Sequence, residues 1–364
     1  MLTHRQHVLA ALRGEKTDRI PWLPEINSFF AEHQTAALKL DRPELAPAIR
    51  IALEMNAASF LAAPFIEEQF PPDVEKQITE KNGEILERIT TPYGTLQSRQ
   101  VYNRSATTHY RHEYLIKGPQ DYKAFEHYYH CRRFLPDPES FRSALDPIID
   151  SGIVALAIPA TPYMDCVMIH IGIENTMYQL FDHRKEFLDL LDAMHQKNLE
   201  YLRLLLDAPI IDIIRPMEDT SSMLSSPDTF EQICKPHLQD YAELIHSRGH
   251  LFVPHMCGHL EDILSRMRGL DIDGIEAVTP PPTGNCTARM VRNELGADKI
   301  IIGGFDPTNF ALKSQQELRQ AVLDSVTPMR NDPRYIFGHE EISPAARWNN
   351  VRIVPDILKE IAQM

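Results

Sequence analysis

The chain has 364 residues, 43% hydrophobic and 24% charged, the make-up of a folded globular protein with room for one large α/β unit or two domains. Its 37 basic residues stand against 51 acidic ones, a formal charge of −14, which argues against a surface that tracks nucleic-acid phosphates. No apolar run approaches membrane-spanning length, the opening residues carry no apolar signal core, and five scattered cysteines are an odd number for a secreted disulfide framework. The expectation is a cytoplasmic protein with neither nucleic-acid nor membrane partners.

Residues 3–14 read as a short amphipathic helix, with Val8, Leu9 and Leu12 on one side and Gly14 at its end. A first strand follows over 20–26, then helices near 29–40 and 44–56, and a second apolar strand over 58–64 that ends near Glu67 and Glu68. Between 74 and 118 the texture changes. Asn82-Gly83 sits between two alternating runs, a strong hairpin signal, and predicts an antiparallel insertion covering one mouth of the main fold. Its His109, Tyr110, Arg111 and His112 read as a solvated strand face.

From 138 onward helix and strand alternate. A helix at 138–151 leads into Ile153–Pro159, a continuous apolar run of the kind buried on both faces of a parallel sheet. Helices at 173–182 and 184–206 precede a strand at 210–214, whose exit loop carries Arg215, Glu218 and Asp219. Ser226-Pro227 caps the next helix, which delivers the chain to the strand Leu251-Phe252-Val253. Further strands start near 272, 299 and 334, each followed by a helix. Eight strands separated by helices imply parallel pairing and a closed (β/α)8 TIM barrel, one domain over 1–364 with its insertion at 74–118. An open doubly wound sheet is disfavoured, because no glycine-rich phosphate fingerprint follows any strand.

In such barrels the chemistry gathers at the C-terminal strand ends. His255 and Cys257 stand two apart where the fifth strand ends, so imidazole and thiol point to the same side and form half of a zinc site. Glu276, leaving the next strand, and His339, leaving the last, are the candidates to complete it. Glu218 and Asp219, with Glu276, are the candidate catalytic groups, the first two orienting substrate or the groups around the metal ligands. Neither a nucleophile elbow, nor a Walker loop, nor an H-E-x-x-H helix competes with this reading.

The opening Arg5–Trp22, Gly172-Ile173-Glu174-Asn175, Leu224–Phe230, His255-Met256-Cys257-Gly258 and Asp306-Pro307 resemble the uroporphyrinogen decarboxylase superfamily, and within it the methyltransferase-like branch. The resemblance spans nearly the whole chain except 74–118. It implies a (β/α)8 barrel, and a zinc held by an H-x-C pair and a third cysteine near the last strand, as in methylcobamide:thiol methyltransferases. His255 and Cys257 match the pair. The last strand departs from the pattern, with Gly338-His339 where Gly-Cys is expected, so the third ligand is either His339 or Glu276. The resemblance further implies a methyl group passing between a small methylated substrate or thiol and a corrinoid (methylcobalamin) carried by a partner protein, and it is compatible with a homodimer. The alternatives are a metal-free uroporphyrinogen decarboxylase and a non-catalytic barrel that binds a metabolite or corrinoid. True decarboxylases need an arginine-rich segment after the first strand, and Asn27–His33 contains no arginine.

Overall fold

Thr3 and Gln6 form a reciprocal capping box at the start of the helix His4–Arg13, and Gly14, at φ 74°, closes it in the left-handed conformation that favours glycine. This helix places Val8, Ala11 and Leu12 against the small apolar cluster that the main strands share. The computed structural model describes residues 2–364, an α/β fold whose main strands run parallel.

The strands in chain order are β1 (Trp22–Pro24), β2 (Ser59–Leu61), β3 (Ile66–Gln69), β4 (Glu75–Lys81), β5 (Glu84–Thr91), β6 (Gly94–Asn103) and β7 (Thr108–Glu113). They continue with β8 (Arg133–Pro136), β9 (Gly152–Ile158), β10 (Ile213–Pro216), β11 (Gly274–Val278), β12 (Ile300–Gly304) and β13 (Tyr335–His339). One parallel sheet has the order β1-β13-β12-β11 and another β10-β9-β2. Single parallel bridges tie Ile214 to Phe252, Met217 to His255, and His255 to Glu276, so residues 252–255 lie between β10 and β11. The Ala58 amide donates to the Trp22 carbonyl at 2.8 Å, which joins β1 to the chain entering β2.

Side chains alternate across these strands as the pleat requires. Leu23, Ile153, Ala155, Ile213, Val253 and Ile336 turn to the small cluster. Their neighbours Trp22, Val154, Leu156, Ile214, Phe252 and Phe337 turn to the large cluster packed under the helices. That two-sided burial explains the continuous apolar runs in the sequence. Two elements are shorter than their hydrophobicity implies. The strand expected at 210–214 begins only at Ile213, because Asp212 turns aside to accept both guanidinium nitrogens of Arg5 (2.5 and 2.6 Å) and the Val154 amide. The segment 251–255 contributes only the isolated bridges.

Residues 74–118 contain the antiparallel sheet β4-β5-β6-β7, with Asn82 and Gly83 at the first turn, both at positive φ. Ile89 and Leu96 are buried on the side where β5 and β6 meet the helix Tyr122–His130. The hairpin tip, Ser105 to Thr108, meets Asn27–Phe29 and Glu341–Pro344 around a cavity of about 500 Å³, so it reaches the exits of β1 and β13. A pairing the sequence does not announce is β3 with β8, antiparallel from Ile66–Pro136 to Gln69–Arg133. It takes Glu67 and Glu68 away from the strand-end face and leaves them exposed, Glu68 paired with Arg132 at 3.1 Å.

Candidate active site

The alternation that buries Ile213 and Val253 against the small cluster carries Arg215 and His255 onto the same face, one level nearer the strand exits. β11 adds Glu276 through a bulge. Between Ile275 and Val278 the register with β12 slips, and Ala277 adopts φ 66°, a strained conformation for a residue with a Cβ. The His255 amide donates to the Pro216 carbonyl and the Glu276 amide to Pro254, both at 3.0 Å, so main-chain bonds fix the positions of both residues.

The charged groups form a chain. Arg215 Nη1 donates to Glu25 Oε1 at 2.5 Å and to Glu276 Oε2 at 2.9 Å, with its guanidinium 4.4 Å from the Phe60 ring centre. Glu276 Oε2 in turn lies 2.6 Å from His255 Nδ1. The other imidazole nitrogen, Nε2, is 3.5 Å from Asp219 Oδ1, and the Cys257 thiol donates to that same oxygen at 3.1 Å. Gly258 follows at φ 84°, where a Cβ would fall 2.9 Å from Ser221 Oγ, so the loop after Cys257 requires glycine.

Burial alone would lower the His255 pKa, but the Glu276 carboxylate lifts it to about 9. Burial would raise that of Glu276, yet His255 and Arg215 hold its carboxyl below the ordinary range. Burial, with Asp219 and Glu340 nearby, pushes the Cys257 thiol up. Glu218 is fully buried, which lifts it to about 7 despite hydrogen bonds from the Thr161 amide and hydroxyl (2.5 and 2.8 Å) and the Thr220 hydroxyl (3.0 Å).

Of the residues singled out from sequence, His255, Cys257 and Asp219 come together, with ligand atoms all within 4.8 Å of one another. Glu276 joins His255 from the side of Nδ1, away from Cys257, in a second group with Glu25. Arg215 already neutralises that second group. Glu218 faces Thr161 and Thr220 rather than the cluster. The pleat sets His339 apart from them. Since Ile336 turns to the small cluster, Phe337 and His339 turn the other way. The His339 ring packs among Trp22, Phe310 and Phe337, and its Nε2 finds no hydrogen-bond partner among the described residues. Glu340 takes the position near the pair, accepting from Thr279 Oγ1 at 2.7 Å, and burial raises its carboxyl above the ordinary range despite that hydrogen bond and the nearby His255. The partnership of Arg215 with Glu25 was not legible from spacing, since they lie 190 residues apart.

Tested for a metal, the Asp219–His255–Cys257 set offers oxygen, nitrogen and sulfur donors, a combination that suits zinc. The imidazole is oriented by a carboxylate on its far nitrogen, as metal-ligating histidines usually are.

Among curated proteins none matches this chain. Among solved structures it is similar to a methyltransferase from Methanosarcina mazei, at 16% identity, 99% coverage of both chains and a TM-score of 0.62, a likeness of fold. A candidate vitamin-B12 independent methionine synthase from Listeria monocytogenes aligns at 15% identity over 58% of this chain and 64% of that one, with a TM-score of 0.39. Residues 159–361, more than half the chain and the part that holds Arg215, Asp219, His255, Cys257 and Glu276, match the uroporphyrinogen decarboxylase (URO-D) family, and the chain belongs to that family.

Proposed function

We propose that this chain is a zinc-dependent methyltransferase of the cytoplasm, moving a methyl group between a small methylated compound or thiol and a corrinoid carried by a partner protein. The scaffold in this reading is a single (β/α)8 barrel over residues 1–364, with an insertion at 74–118. The bridges through residues 252–255 and the Ala58–Trp22 bond support closure of the strands. The observation that carries the functional reading is the meeting of Asp219, His255 and Cys257 with a carboxylate behind the imidazole.

Asp219, His255 Nε2 and Cys257 Sγ would hold the metal. Zinc bound there supplies a Lewis acid for the heteroatom that carries the methyl group. Glu276 keeps a proton on Nδ1 and so leaves Nε2 for the ligand face, while Arg215 and Glu25 keep Glu276 in place. Glu218, clamped by Thr161 and Thr220, fixes the turn that presents Asp219. The apolar strand cluster beneath excludes water from below, and the hairpin tip at 105–108 borders the mouth where a corrinoid protein would dock. The decarboxylase alternative is disfavoured, because both bonding partners of Arg215 are carboxylates of the chain itself.

Elemental analysis of the purified chain tests the site. About one zinc per chain is expected, with loss in Cys257→Ser and in Asp219→Asn. A zinc-free wild type, or full retention in both variants, would remove the metal from the reading.

A further inference from the structure

The helix Ile173–Asp182 is amphipathic the wrong way round for a chain that stands alone in water. It buries Thr176 and Gln179 and leaves Ile173 42%, Met177 38%, Tyr178 54% and Phe181 89% exposed. A surface helix ordinarily turns its apolar stripe to the core and its polar face outward. Ile173, Met177 and Phe181 recur every four residues and so form one ridge, with Tyr178 beside it and Ile169 exposed just before the helix begins. Polar groups beneath hold the inversion in place. Gln179 Oε1 accepts from the Tyr122 hydroxyl at 2.7 Å. Gly172, at the helix start, lies against Tyr114, where a Cβ would fall 2.6 Å from the ring, and the Ile116 amide donates to the His170 carbonyl at 2.9 Å. Rolling the helix to hide the ridge would give up the Tyr122 bond and the fit against Tyr114.

The make-up of the ridge selects its partner. It carries no charge, and its aromatic and Met content is that of the core of a lasting interface, whereas the surfaces of brief encounters are no more apolar than the rest of a protein. One aromatic side chain alone presents about 150–250 Å², so the bare apolar surface is on the order of 500 Å² per copy. Two such faces bury about 1,000 Å² before any rim is counted, the level at which a specific interface begins. We propose that this ridge is an interaction surface for a second copy of the chain, packed antiparallel about a two-fold axis near Met177 and Tyr178. A two-fold contact needs the same patch on both copies, and rows of residues four apart interdigitate with an identical row. The flanking charges fit the same axis. Glu174 lies toward one end of the ridge and the exposed Arg184 just past the other, so antiparallel packing brings each Glu174 beside the Arg184 of the other copy. This contact is independent of the methyl-transfer reading and needs neither metal nor corrinoid.

Sedimentation equilibrium of the full chain tests it, with dimers expected at a dissociation constant of about 10 µM or below. Phe181→Asp should weaken the dimer at least about 30-fold, because an anchor is lost from both copies, while circular dichroism confirms the fold. Glu174→Arg and Arg184→Glu should each weaken it several-fold, and the double variant should return to within about twofold of wild type, since the pair is then restored with its charges exchanged. A wild type that stays monomeric at about 100 µM would overturn the proposal, whether the ridge is left bare or is taken by lipid vesicles or another protein. So would a dimer indifferent to Phe181→Asp, or one that the double charge exchange fails to rescue.

Discussion

Replacing Glu276 by Gln tests the central interaction while keeping the shape of the side chain. The amide can still accept from His255 Nδ1, but the charge that holds both His255 and Arg215 is gone. Lifting an imidazole from its ordinary 6.5 to about 9 corresponds to about 3 kcal/mol of preference for the charged ring. His255 and Glu276 are 7% and 2% exposed, so solvent screens little of this. Metal-free Glu276→Gln should therefore be destabilised by about 3 kcal/mol near neutral pH, within the range for breaking a buried ion pair. The sign of the pH dependence follows from each partner. The raised His255 pKa contributes stability that is complete below about 6.5 and fades as pH rises through about 9. The lowered Glu276 pKa contributes stability present above the ordinary carboxylate range and lost as pH falls through its folded value. Urea unfolding of both proteins with chelator, from pH 5 to 10, should show a gap that is widest below about 6.5, where the His255 contribution is complete, and narrows as pH rises through about 9, leaving what the pairing with Arg215 contributes. A gap that stays constant to pH 10, or a wild-type His255 proton signal titrating near 6.5, would refute the reasoning.

Three further outcomes follow from the same geometry. His339→Phe should retain its zinc and cost about 1 kcal/mol, since the ring lies among aromatics and gives up one hydrogen bond from Nδ1 to the Glu340 carbonyl; loss of metal in this variant would return His339 to the ligand set. Zinc uptake at pH 7.5 should release about two protons, one from His255 and one from Cys257, both protonated there without metal. Calorimetry in buffers of different ionisation enthalpy measures that number, affinity should fall as pH drops, and release of fewer than one proton would contradict the ligand assignment. Uroporphyrinogen should not be decarboxylated at a useful rate, and efficient metal-independent conversion to coproporphyrinogen would restore the alternative reading.

Much of this arrangement was legible because it depends on short-range periodicity. The H-x-C pair, the apolar strands around 153, 213, 274, 300 and 335, and the Asn82-Gly83 hairpin each announce themselves within a few residues. What spacing did not show depended on which side a residue faces or on distant partners. His339 looked like a ligand by type, but the alternation set by Ile336 sends it outward and brings Glu340 near the pair, a signal that counting from the strand would have supplied. Glu67 and Glu68 looked like strand-end acids until β8, more than sixty residues on, paired with them. The role of Glu276 as the group behind the imidazole depends on the bulge at Ala277 and on Arg215, neither of which spacing alone reveals.

The most direct measurement mixes zinc-loaded protein with a cobalt(I) corrinoid and, separately, a methylated ammonium compound, a methyl ether and a methyl thioether. Methylcobalamin is followed by absorbance, and the reverse reaction from methylcobalamin to a thiol is run alongside. The account predicts methyl transfer with at least one donor and a fall of about 100-fold or more in His255→Ala, with zinc supplied in excess. No transfer in either direction by zinc-loaded wild type, or His255→Ala turning over like wild type, would contradict it.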